Sequence, residues 1–160
     1  MGIEIERKFL VEGDGWRSAA QGTRYRQGFL NTSKSRTVRI RTDGDRGFIT
    51  VKGPPVGIVR REYEYEIPAR DADAILEALC ERPIIVKIRY RIALGQHTWE
   101  VDEFLGENEG LIVAEVELSQ EDEPFERPAW LGLEVTDDPR YYNANLVKTP
   151  YTKWGMLTGG

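Results

Sequence analysis

Charged side chains alternate with apolar ones along much of this sequence, with a period of two. The first example is "IEIERKFLV" at residues 3–11, in which Glu4, Glu6 and Lys8 fall on one face and mostly apolar side chains on the other. A period of two is that of a β-strand, whose successive side chains point to opposite faces. One face of this strand therefore carries only charges.

The same pattern recurs in six later segments. Their charged rows are Arg39 and Arg41 in "TVRIRTDG", Lys52 in "FITVKG", Arg60, Glu62, Glu64 and Glu66 in "VRREYEYEIP", Lys87, Arg89 and Arg91 in "IVKIRYRIAL", Glu100 and Asp102 in "TWEVDEF", and Glu115 and Glu117 in "IVAEVEL". Strand character and turn residues together predict eight strands, at 3–11, 23–31, 36–42, 47–53, 59–67, 84–93, 97–104 and 111–118. Short turns favour antiparallel neighbours, and eight strands can close into a barrel.

The charged rows have two structural interpretations. An antiparallel sheet with one solvated face would accommodate any single row. Solubility alone, however, does not explain why acid pairs and base pairs are segregated strand by strand. We therefore predict a mainly β (α+β) fold, an eight-stranded antiparallel β-barrel that forms a charged tunnel, with a few helices packed outside.

A charged tunnel has to be wet and internally compensated, because an unpaired charge in a dry interior costs several kcal/mol. A conservative set of eight acidic and six basic inward positions has a formal charge of −2, which one divalent cation would neutralise. A polyphosphate could lie on the basic rows while the metal bridges it to the carboxylates, which is how Mg²⁺ usually binds. Arginine is the expected bidentate partner of phosphate, and lysine acts as a point charge.

Helical signals are fewer. Residues 71–82 place apolar side chains on one helix face, and we expect Cys80 on that face to be a buried structural cysteine. We expect residues 120–140, rich in proline and acids, to be mostly loop with short helical turns, and the tail at 141–157 to hold another helix. The whole chain, 1–160, is predicted to be one domain.

Composition excludes several kinds of partner. A formal net charge of −5 argues against a general nucleic-acid or membrane-surface binder, because both require a broad basic field. The single cysteine excludes an internal disulfide, and no long apolar run is present. We expect a soluble cytoplasmic protein with no nucleic-acid or membrane partner; a monomer and a homodimer are both compatible with the sequence.

The ordered motifs resemble those of a known family. The E-x-E-x-K of residues 4–8, followed by "VRIR", "TVKG", "REYEYEI", "VKIRY", "WEVDEF" and "AEVEL", resembles the CYTH superfamily of triphosphate tunnel metalloenzymes, and "PAWLGLEVTDD" and "RYYNANL" resemble its short bacterial members. The resemblance covers nearly the whole chain. It implies an eight-stranded tunnel and divalent-metal-dependent hydrolysis or cyclisation of triphosphate substrates.

The resemblance also implies roles for individual residues. The main ligands of Mg²⁺ or Mn²⁺ would be Glu4, Glu6, Glu115 and Glu117. The phosphates would be held by Lys8, Arg39, Arg41, Lys52, Lys87 and Arg89. A second metal or the attacking water would be positioned by Glu62, Glu64, Glu100 and Asp102, so the candidate catalytic residues are Glu62, Glu64 and Lys87, and Glu100 and Asp102 are further candidate metal ligands.

Several reactions compete within this resemblance. Class IV adenylate cyclases usually carry a His-Phe pair before the E-x-E-x-K motif, and only three residues precede Glu4 here. Thiamine triphosphatases need an aromatic surface, but the four tryptophans have core or surface interpretations. We favour hydrolysis of inorganic triphosphate to pyrophosphate and phosphate, with nucleoside triphosphates as weaker substrates. A non-catalytic polyphosphate- or metal-binding module is the alternative outside enzymes.

Overall fold

The computed structural model describes residues 2–33 and 35–157. Its nine strands are β1 (Ile3–Val11), β2 (Gly22–Asn31), β3 (Thr37–Asp43), β4 (Arg46–Lys52), β5 (Val59–Ile67), β6 (Ile85–Leu94), β7 (His97–Phe104), β8 (Ile112–Glu117) and β9 (Leu131–Glu134). The α-helices are α1 (Ala69–Ala78), α2 (Asn143–Lys148) and a last short turn, α3 (Trp154–Leu157). Each of the eight predicted strands is found within one residue of its predicted ends.

Eight of these strands form a closed antiparallel barrel. Their order is β5-β4-β3-β2-β6-β7-β8-β1, and β1 pairs back with β5 through the register of Ile3 with Arg61 and Ile5 with Val59. The predicted fold class is therefore confirmed. Hairpin connections between sequential neighbours explain most of the order, and only the β2–β6 and β1 pairings join strands distant in sequence.

The ninth strand was not predicted. It lies within the segment expected to be loop, and it pairs with the second half of β1, where Phe9 is opposite Glu134 and Val11 opposite Leu131. The other edge of β1 is taken by β8, so β5 and β9 share one edge of β1 in succession. A four-residue strand with one glycine and one glutamate carries little local sequence signal for a strand. It forms because this edge of β1 is free to pair.

The apolar faces of the strands point out of the barrel and are covered from outside. Helix α1 packs Ala72 and Leu76 against Ile40, and the C-terminal α2 packs on a second cluster that includes Phe104 and Val113. A third cluster, containing Phe9 and Trp99, is covered by Phe125 and Trp130 from the segment between β8 and β9. The hydrophobic core is thus a layer around the barrel, while Ile3 at its rim is 50% exposed.

Helix α1 sits close to the sheet. A Cβ added to Gly47 on β4 would lie 2.8 Å from the Cβ of Ala72, so only glycine permits this approach. Cys80 is buried in the same cluster, as predicted for a structural cysteine. Among residues 2–33 and 35–157, no helix is long and apolar enough to cross a membrane.

The outer layer gives a direct stability test at α1. Leu76→Ala removes a side chain that is fully buried, so we expect unfolding to require about 2–5 kcal/mol less free energy. Leu79→Ala is the matched control, because Leu79 is 66% exposed and its loss should stay within about 0.5 kcal/mol. Urea unfolding measures both, and equal effects would contradict the packing of α1.

Candidate active site

The inward rows of the barrel enclose a cavity of about 520 Å³. Seven carboxylates line it, namely Glu4, Glu6, Glu62, Glu64, Glu100, Glu115 and Glu117. Eight cations line it with them, namely Lys8, Arg39, Arg41, Lys52, Arg60, Lys87, Arg89 and Arg91. The formal charge of this lining is therefore +1, and it brings together every predicted site residue except Asp102.

Opposite charges from different inward rows pair inside the barrel, between adjacent strands or between strands two positions apart. Lys52 on β4 contacts Glu4 on β1 at 3.2 Å, and Lys8 contacts Glu115 at 3.5 Å. Arg39 contacts Glu64 at 3.3 Å. These pairs compensate charges that the barrel wall removes from bulk water, which is what allows the rows to face inward.

The carboxyl groups at the β1 side of the cavity crowd one another. Glu6 shares a hydrogen bond with Glu115, and burial together with the charges of Glu115 and Glu4 raises the pKa of Glu6 well above its ordinary value. Burial and the neighbouring Glu4 likewise raise the pKa of Glu62 to about 7. Burial and Glu4 also raise the pKa of Glu117. Each of these three groups thus holds its proton more tightly than an ordinary carboxyl group does.

This cluster has the donor chemistry of a site for a hard divalent cation. Mg²⁺ prefers oxygen ligands and usually combines one or two carboxylates with water and substrate phosphate oxygens. A cation would relieve the repulsion that raises the pKa of Glu6. In the part of the chain that the structure describes, no group of three or more carboxylates, histidines or cysteines is placed to hold a metal ion by itself.

Lys87 and Arg89 of the lining form a buried ion triad with Asp102, which lies behind the lining. Both oxygens of Asp102 are engaged, by Lys87 Nζ at 2.9 Å and by Arg89 at 2.7 and 2.9 Å. Asp102 is 1% exposed and does not line the cavity, so a role as metal ligand, which the sequence predicts, does not fit its surroundings. Burial lowers the pKa of Lys87 to about 8, although Asp102 opposes this shift.

Several residues of the lining were absent from the predicted site, among them Arg60, Arg91 and Asn143. Arg60 shares the inward row of β5 with Glu62 and Glu64; its Nε donates to the carbonyl of Gly53, and within the described chain it forms no ion pair. Its position in a charged row of the sequence could have identified Arg60 as an inward-facing site residue. Asn143 of α2 accepts hydrogen bonds from Lys87 at 3.1 Å and from Gln27 at 2.7 Å, and no local sequence signal brings a helix residue to the cavity.

The Asp102 triad predicts a large stability effect. Asp102→Asn leaves the buried Lys87 without its paired carboxylate and Arg89 with Glu100 alone, at 3.3 Å, so we expect a loss of about 3–5 kcal/mol in the free energy of unfolding. The neighbouring Glu103 pairs with the more exposed Arg17, so Glu103→Gln should cost about 1 kcal/mol or less. Chemical denaturation of both variants tests this, and a mild Asp102→Asn would show that the triad is not structural.

The carboxyl cluster predicts a pH dependence. The folded-state pKa of Glu62, about 7, exceeds the ordinary value of 4.5, so folded protein keeps a proton that unfolded protein loses between these values. In EDTA, stability should therefore fall as pH rises from 4.5 to 7, and Glu62→Gln should reduce that slope. Glu64→Gln is the control, because Thr50 and Arg41 outweigh burial and lower the pKa of Glu64, which places its effect below pH 4.5. An unchanged slope in Glu62→Gln would contradict the assignment.

Comparison with known proteins agrees with this geometry. The model of the CYTH domain matches residues 2–149. A protein of Acetivibrio thermocellus named inorganic triphosphatase is 57% identical over 151 residues, covering 94% of this chain and 97% of the relative. A protein of the same name from Nitrosomonas europaea is 39% identical over 151 residues, covering 90% and 96%.

Solved structures give the same result. A crystal structure of an inorganic triphosphatase superposes with a TM-score of 0.63 at 35% identity, covering 90% of this chain and 93% of that one. The family model and these relatives span most of the chain, and the inward charged rows lie where the resemblance places them. This protein belongs to the CYTH domain family.

Proposed function

We propose that this protein hydrolyses inorganic triphosphate to pyrophosphate and phosphate with the help of Mg²⁺ or Mn²⁺. The observation that carries the proposal is the single cavity wall on which eight cations stand beside a crowded carboxyl cluster. A linear triphosphate offers these cations further anionic oxygens, and it can share a metal ion with the carboxylates. The names of the two relatives, both inorganic triphosphatases, support the same substrate.

The cations would hold the phosphates. This set consists of the predicted Lys8, Arg39, Arg41, Lys52, Lys87 and Arg89, to which we add Arg60. Two buried donors, Arg39 Nε and Arg41 Nε, have no hydrogen-bond partner in the described chain. Buried donors are rarely left unpaired, and guanidinium groups match phosphate geometry well. Orphaned donors therefore fit a wall built to receive an anion.

The carboxylates would divide between the metal and the water. Glu4, Glu6, Glu115 and Glu117 would hold the metal, with Glu100 nearby, and the ion supplies charge stabilisation and a more acidic water when bound. Glu62 is suited to accept a proton from the attacking water, because its pKa of about 7 lies near neutral pH, and Glu64 would orient that water.

Lys87 and Arg89 would bind the phosphoryl groups from positions that their ion pairs with Asp102 keep fixed. Lys87 can donate a hydrogen bond to the leaving phosphate oxygen, and Asp102 holds Lys87 and Arg89 in place from behind. We therefore assign Asp102 a positioning role. Charge on the transferred phosphoryl group is stabilised by the surrounding cations, which is the main contribution expected of a protein in phosphoryl transfer.

The positions of the four tryptophans favour inorganic triphosphate over triphosphates that carry an aromatic group. Trp16 and Trp99 are fully buried outside the cavity, and Trp130 and Trp154 pack in the outer clusters. No tryptophan is therefore part of the described cavity wall, whose aromatic members are Phe29 and Tyr142. A cytoplasmic location is part of the same proposal.

Product analysis tests this function. Purified protein is incubated with tripolyphosphate, ATP or thiamine triphosphate in Mg²⁺, Mn²⁺ or EDTA, and products are resolved by ion chromatography. We expect pyrophosphate and phosphate in equal amounts from tripolyphosphate, and none in EDTA. Production of cyclic AMP from ATP, or faster turnover of thiamine triphosphate than of tripolyphosphate, would show that the proposed substrate is wrong. Binding of these compounds without turnover of any of them would indicate a non-catalytic module.

A matched pair of variants excludes a contaminating phosphatase. Glu117→Gln changes a proposed metal ligand and should lower turnover on the order of 10²-fold. Glu66→Gln changes the same side chain on the exposed rim, where Glu66 pairs with Arg46, and should leave turnover unchanged. Equal activity of the two variants would mean either that a contaminating protein releases the phosphate or that Glu117 has no role in turnover.

A further inference from the structure

Strand β2 differs from the seven other barrel strands in its inward row. That row consists of Tyr25, Gln27 and Phe29, and Gln27 pairs with Arg41 on β3 while Tyr25 pairs with Lys87 on β6. Residues directly opposite on paired strands share a face. The two strands whose inward rows carry the proposed phosphate-binding cations are therefore separated by a strand whose inward row is neutral.

Tyr25 is contacted by three arginines of the cavity wall. The guanidinium carbons of Arg41 and Arg89 lie 5.0 and 4.8 Å from its ring centroid, and Arg91 Nη2 donates to its hydroxyl at 3.3 Å. Tyr25 is only 3% exposed and does not itself line the cavity. It thus stands behind the wall, in contact with side chains that form it.

Arg41 needs such support more than its neighbours do. Its nearest carboxylates are Asp43 at 3.5 Å and Glu64 at 3.7 Å, whereas Arg89 has two short bonds to Asp102. Burial and repulsion from the nearby arginines lower the pKa of Arg41. An aromatic face attracts a guanidinium group without occupying its N–H donors, so those donors stay available for phosphate.

We propose that Tyr25 is a positioning residue that fixes the spacing and orientation of Arg41 and Arg89 for adjacent phosphate groups. The proposal rests on the proposed function, because it assumes that these arginines bind the substrate. A carboxylate in the place of Tyr25 would consume guanidinium donors. An aliphatic side chain would remove the ring that Arg41 and Arg89 share, and would leave Arg41 with the ring of Phe48, 4.9 Å from its guanidinium carbon. Tyr25, on the neutral inward row of β2, provides the shared surface.

The test compares variants that keep or remove the aromatic face. Tyr25→Phe keeps the ring and loses only the hydroxyl contact with Arg91; Tyr25→Leu removes the ring. Tyr65→Leu is the matched control, since Tyr65 lies on the outward row of β5 and is 64% exposed. The dissociation constant of tripolyphosphate in EDTA is measured by calorimetry, and KM and kcat with Mg²⁺ are measured separately.

We expect Tyr25→Leu to raise the dissociation constant and KM about tenfold, equivalent to ~1.4 kcal/mol, with a smaller change in kcat. Tyr25→Phe should stay within about twofold of wild type, as should Tyr65→Leu. A general loss of structure would lower kcat and the thermal midpoint without this pattern. If Tyr25→Leu does not fold, Tyr25→Met replaces it, because methionine fills similar space without an aromatic face.

Two results would overturn the positioning role. One is wild-type affinity in the ring-less variant, and the other is an equal loss in Tyr25→Phe and Tyr25→Leu. Failure of the proposed function is separately visible, because wild-type protein would then neither bind nor hydrolyse tripolyphosphate.

Discussion

Compensation of enclosed charges by their neighbours is the constraint on which this structure depends. A barrel whose cavity is lined by fifteen charged side chains is stable only if opposite charges meet, as Lys8 meets Glu115 on the adjacent strand and Lys52 meets Glu4 two strands away. The same arrangement turns the apolar rows outward. Helix α1, helix α2 and the segment between β8 and β9 are then required to cover them.

The compensation is incomplete in two places, and these places define the chemistry. Carboxyl groups crowd around Glu6 and Glu62, where repulsion and burial raise the pKa of both. Elsewhere, Arg60 has no ion pair in the described chain and buried donors of Arg39 and Arg41 are unpaired. A divalent cation completes the first region and an oligophosphate the second, so one metal–phosphate complex would balance both.

Periodicity accounts for how much the sequence could predict. Strand character and turn residues located all eight barrel strands. The period of two put Glu4, Glu6 and Lys8 on the inner face, because local alternation determines which side chains share a face. Asp102 follows the same alternation, but its carboxylate is enclosed by Lys87 and Arg89 and does not line the cavity. Alternation cannot predict this, because the three-dimensional packing determines which cations pair with a given carboxylate. Asn143, Tyr25 and β9 depend on contacts between distant segments and had no pattern to reveal them.

The most direct test of the account is a crystal structure with tripolyphosphate and Mn²⁺, with the metal located by its anomalous scattering. The account predicts phosphate oxygens within hydrogen-bond distance of Arg39, Arg41 and Lys52, and a manganese peak between the phosphates and the carboxyl cluster of β1 and β8. Phosphate or manganese bound only on the outside of the barrel, with the inward ion pairs undisturbed, would contradict it.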